Sequence, residues 1–102
     1  MKNNDVFFNF KLVIDELINS NCLLQKDEKF FYIEVNNFKS KFNEIFIENN
    51  KYYMKIFREL NFIVSEKNRF SKTMNINGKT KRAIFINKNV YKILDEIYSI
   101  NN

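Results

Sequence analysis

The 102 residues include 17 Lys and Arg against 12 Asp and Glu, with no His, for a net charge of +5. Apolar residues make up 45% and aromatic residues 17%, which excludes a disordered chain and allows one domain around one core. A single cysteine excludes an internal disulfide, and the lack of His removes the commonest base and metal ligand.

Cys22 sits in the apolar run Cys22-Leu23-Leu24 and is expected to be packed rather than reactive. No apolar run approaches the ~20 residues needed to cross a bilayer. Met1 to Asp5 lacks the charge, apolar core and cleavage pattern of a signal peptide. A cytoplasmic protein with no membrane partner is the expectation. With no Pro and one Gly, the loops must be short and turned by Asn. Asn, Lys, Ile, Phe and Tyr dominate, and their codons are rich in A and T, which points to an AT-rich genome.

Asp5 is an expected N-cap, and Val6, Phe10, Val13, Ile14, Leu17 and Ile18 then recur at helical spacing to about Ser20. A polar link from Gln25 to Lys29 leads to Phe30-Phe31-Tyr32-Ile33-Glu34-Val35, which predicts a short buried strand. Asn36 or Asn37 should cap a second helix, with Phe38, Phe42, Ile45 and Phe46 on one stripe. Glu48-Asn49-Asn50 is a turn. A third helix follows from about Lys51 to Leu60, apolar at Tyr53, Ile56, Phe57 and Leu60. Its other face carries Lys51, Tyr52, Lys55, Arg58 and Glu59, so the pair matches a helix-turn-helix.

Asn61 ends the third helix and Phe62-Ile63-Val64 starts a strand. Asn77-Gly78 predicts a type I′ hairpin that pairs Ile76 with Lys79, Met74 with Lys81 and Phe70 with Phe85. Asn87 should cap a last helix striped by Val90, Ile93, Leu94, Ile97 and Tyr98. The predicted fold is α+β, in the order helix, strand, helix, helix, hairpin wing, helix. It is a single domain over residues 1–102, without repeats or linkers.

The sequence holds no CxxC, HExxH, Walker-type or GxGxxG motif. Asp15-Glu16, Asp27-Glu28 and Asp95-Glu96 are adjacent pairs, and neighbouring residues diverge on a helix, so these read as solvated faces. Neither a catalytic site nor a metal or cofactor is expected. What remains is charge. Lys51 to Arg82 holds nine basic residues against Glu59 and Glu66, so this stretch is +7 and the rest of the chain −2. An asymmetry of that size points to a polyanion, with nucleic acid the leading partner.

The expected DNA-binding set is Asn49, Asn50, Lys51, Tyr52, Lys55 and Arg58 on the third helix, with Arg69, Lys72, Lys79, Lys81 and Arg82 on the wing. Asn pairs with adenine in the major groove and Lys donates to guanine or phosphate. The wing cations would grip phosphates, or Arg82 would enter a narrow minor groove. Lys39 and Lys41 are weaker phosphate candidates, because Glu44 and Glu48 share their element. A dimer face is expected from Val6, Phe10, Val13 and Leu17 of the first helix with Val90, Ile93, Leu94, Ile97 and Tyr98 of the last.

Over residues 30–100 this pattern resembles the winged helix-turn-helix superfamily, through its apolar frame and the hairpin tip Asn77-Gly78. Within it the chain is similar to the small TubR-like centromere-binding adaptors of plasmids and phages. That resemblance implies a dimer binding double-stranded DNA cooperatively at repeated sites, in partition or as a repressor, with a tubulin-like GTPase as partner. Residues 32–90 are similar also to the winged domains of phage primase-helicases, from which the full helix after the wing departs. A protein-interaction module that does not read DNA is the alternative of a different class.

Overall fold

The computed structural model describes residues 5–64 and 72–99. Its elements run α1 (Val6–Asn19), β1 (Leu23–Lys26), β2 (Phe30–Glu34), α2 (Val35–Ile45), α3 (Asn50–Glu59), β3 (Ile63–Val64), β4 (Lys72–Ile76), β5 (Lys79–Asn87) and α4 (Lys88–Ser99). The class is α+β, with four helices and an antiparallel sheet among the described residues.

β5 organises the sheet, whose order is β1-β2-β5-β3. On one edge β5 pairs with β2, Phe31 opposite Ile86 and Ile33 opposite Ile84. Its other edge serves two partners in succession. β3 takes one end, Ile63 opposite Ile86, and β4 takes the other, Lys72 opposite Ala83. Alternation along the strands turns Phe31, Ile33, Ile63, Ile84 and Ile86 to one face, all buried. Phe10, Val13, Ile14 and Leu17 of α1, Phe38, Phe42 and Ile45 of α2, Met54 and Phe57 of α3 and Leu94 of α4 pack into this core, together with Phe46. Phe30, Tyr32 and Phe85 cluster on the opposite face, with the Phe85 ring centroid 5.6 Å from Phe30 and 4.7 Å from Tyr32.

Local chemistry sets the element ends. The Asp5 carboxylate accepts from the Phe7 and Phe8 amides at 3.1 Å, the expected cap of α1. Asn87 Oδ1 accepts from the Asn89 and Val90 amides and starts α4. Four of the described non-glycine residues have positive φ, and all are asparagines: Asn21, Asn49, Asn61 and Asn77. Asn tolerates that region better than other side chains, which is how a chain so poor in Gly turns.

Several expectations are corrected. The link from Gln25 to Lys29 is partly β1, paired to β2 with Leu23 opposite Ile33 and Lys26 opposite Phe31. Its turn is closed by Asp27, whose Oδ1 accepts from the Lys29 and Phe30 amides at 2.8 Å. The cap of α2 is Glu34, not Asn36 or Asn37; its carboxylate accepts from the amides of both. Leu60, which caps the C-terminal end of α3, is exposed and Met54 is buried, because the helix rolls its Met54 and Phe57 side inward.

The expected dimer face also changes. Phe10, Val13, Leu17 and Leu94 lie in the core of the single chain, none above 6% exposed. α1 packs against both α2 and α4, so the Phe10, Val13 and Leu17 side of it is covered within the chain, while Phe7 stays exposed. Val6, Val90 and Tyr98 are half-buried against the same core, while Ile93 and Ile97 are exposed.

Candidate nucleic-acid interface

Aromatic packing holds α3 in place. The Phe57 ring is fully buried, with its centroid 4.4 Å from Phe10, 5.7 Å from Phe46 and 5.4 Å from Phe62. Asn61 takes a left-handed turn at the helix end, and its carbonyl accepts from Asn87 Nδ2 at 3.1 Å. Asn87 thus joins the end of α3 to the start of α4. With one side anchored, α3 turns Lys51, Tyr52 and Lys55 outward, and Tyr52 is 62% exposed.

At its leading end Asn49 is the N-cap, left-handed and without a side-chain capping bond. Asn50 follows, half-buried. Between α2 and α3 runs a groove of about 440 Å³ lined by Lys39, Asn43, Asn50, Lys51, Met54 and Lys55. Asn43 and Met54 were not among the expected DNA-binding residues, and Lys39 was expected only as a weaker phosphate contact. Apolar spacing identifies the inward side of each helix but not the gap between two of them. Lys41, by contrast, is engaged elsewhere, with its Nζ 3.1 Å from Glu44.

The hairpin follows its expected register, with Ile76 opposite Lys79 and Met74 opposite Lys81. Asn77 and Gly78 both have positive φ, as a type I′ turn requires. Lys79, Lys81 and Arg82 are exposed. Strand alternation sets Lys79 and Lys81 on the face shared with Ile76 and Met74, and Arg82 on the other with Thr73. The hairpin therefore presents cations on both sides.

Two members of the expected set are less available. Only 17% of the Arg58 side chain is exposed, and its guanidinium donates to Glu59 at 3.3 Å. Lys72 is half-buried, with its Nζ 5.3 Å above the Phe85 ring centroid. Arg69, and the pairing of Phe70 with Phe85, lie outside the described residues.

Among the described residues no group of three or more His, Cys, Asp or Glu converges as a metal site would. No helix among them is long and apolar enough to cross a membrane. No protein-family model matches the chain, and no curated protein matches its sequence.

Proposed function

We propose that this chain is a duplex-DNA-binding protein of winged helix-turn-helix type, with α3 entering the major groove and the β4–β5 hairpin resting on the backbone or in the adjoining minor groove. The observation that carries this reading is one of order and exposure. An anchored helix shows Lys51 and Lys55 to solvent, and a hairpin showing Lys79, Lys81 and Arg82 follows it. Lysine and arginine on α3 and the hairpin suit phosphates, while the diameter of an α-helix suits the width of the major groove.

The antiparallel pairing of β2 and β3 with β5, and the succession of α2, α3 and the hairpin, are compatible with a winged helix. Chemistry other than binding is not part of the proposal. The chain acts as a homodimer, in transcriptional repression or in plasmid or phage partition, and in the second role a tubulin-like GTPase would be its partner. The exposed Ile93 and Ile97 of α4 favour the dimer.

Titrating the purified protein into a labelled duplex at several salt concentrations tests the proposal. The log–log slope of affinity against salt should be roughly −4 or steeper per dimer. Equal binding at low and physiological salt would refute it.

A further inference from the structure

The groove between α2 and α3 combines two properties rarely needed together. Three lysines, Lys39, Lys51 and Lys55, line it, and its lining among the described residues holds no carboxylate. The lining is mostly apolar, with Met54 and the lysine stems contributing to it. Phosphate alone would engage the lysines and leave the apolar lining wet. A ligand that fits both is a polyanion bearing small apolar groups at a fixed depth behind its charges.

Duplex DNA offers that arrangement in its major groove, where the C5-methyl of thymine projects between the phosphate rows. Resting on the DNA-binding reading above, we infer that the α2–α3 groove is a thymine-methyl pocket, and that the preferred ligand is an A·T-containing duplex. The thioether of Met54 is a polarisable surface for a methyl group. Asn43 and Asn50 on the walls are the side chains suited to the N6 and N7 of the paired adenine. Lys39 and Lys51 hold the flanking phosphates.

Short alternating duplexes that differ only in the C5-methyl of each pyrimidine test this directly. Thymine and uracil duplexes pair alike, as do those with 5-methylcytosine and cytosine. Burying one methyl group should make the full chain bind the thymine duplex about fourfold more tightly than the uracil duplex. The 5-methylcytosine duplex should gain over cytosine in the same direction. Asn43 is exposed, so Asn43→Phe should fill the groove without unfolding the chain, and both ratios should then fall to near one.

Equal binding of the thymine and uracil duplexes by the unmodified chain would overturn the inference while leaving DNA binding intact. So would a ratio that survives Asn43→Phe. Failure to bind any duplex would remove the DNA reading beneath it. An acidic amphipathic peptide of Leu and Glu provides the last arm. If the chain binds that peptide, loses it on Asn43→Phe and ignores the methyl group, the groove takes a protein instead. Because the methyl ratios are read on the unmodified chain, they decide even if Asn43→Phe misfolds.

Discussion

The Tyr91 hydroxyl donates to Asp15 Oδ1, a hydrogen bond that spans 76 residues and fastens α4 to α1. The same carboxylate receives Lys11 Nζ at 2.6 Å, and Asp95 of α4 stands 3.4 Å from that ammonium. Burial works to lower the Lys11 pKa, but the bonds to Asp15 and Asp95 outweigh it and the pKa is raised. A second pair repeats the device, with Tyr98 of α4 donating to Asp5 at 2.6 Å. Asp5 is also the cap of α1, so one carboxylate both starts that helix and holds the last one.

Removing the hydroxyl of Tyr91 should loosen that attachment without opening a cavity. Tyr91→Phe is expected to cost about 1–2 kcal/mol, as for a hydrogen bond to a charged acceptor that is partly solvated. Asp15→Ala should cost more, since it leaves both Lys11 and Tyr91 short of a partner. Denaturant unfolding of the two variants measures the difference, and equal stability of Tyr91→Phe with the parent would show that the pair contributes nothing.

Alkali should destabilise the fold through these tyrosines. Burial first, and then the hydrogen bonds to Asp27 and Asp5, push Tyr32 and Tyr98 up to about 12 from 10.0. Burial and Asp15 also raise Tyr91. A phenol whose pKa is raised by folding stabilises the fold fully below its unfolded value and loses that contribution as pH climbs through the folded one. The loss should therefore run from pH 10 to about 12. Tyr98→Phe should show a shallower decline than the parent in unfolding midpoints across that range, and parallel declines would contradict it.

Lys55 and Arg82 are expected to behave differently on DNA. Lys55→Ala, on the outer side of α3, should weaken specific sites more than random duplex, by about 1–3 kcal/mol for a base contact. Arg82→Ala should weaken both alike and reduce the salt slope by about one, as for a phosphate contact. Lys55 is exposed, so Lys55→Ala should not shift stability by more than about 0.5 kcal/mol. Binding isotherms on specific and scrambled duplexes at two salt concentrations compare them; parental affinity in both variants would mean the DNA face lies elsewhere.

Ile93 and Ile97 are 56% and 49% exposed on α4, one turn apart. If they form the dimer contact, Ile93→Asp should shift the protein from dimer to monomer in light scattering at tens of micromolar. The unfolding midpoint at high dilution should barely change, because the side chain lies outside the core. A parent that is already monomeric at that concentration would remove the dimer from the proposal.

The sequence by itself determined the features that depend on neighbours in the chain. Asp5 and Asn87 cap helices because a short carboxylate or amide reaches the amides two and three residues on. Asn77-Gly78 dictates the hairpin register because few residue pairs accept two positive φ angles. The stripe of Phe38, Phe42, Ile45 and Phe46 marks the buried side of α2 for a similar reason, since helical spacing is local. Other features were decided only when distant segments met. β1 is short and partly polar, and it becomes a strand because the free edge of β2 lies beside it. Periodicity shows that Phe10, Val13 and Leu17 need cover but not whether this chain or a second copy supplies it; here α2, α4 and the sheet do. The lysine-lined groove and the tyrosine–aspartate ties of α4 to α1 belong to the same class, because each is made by side chains whose separation along the chain carries no signal of their contact.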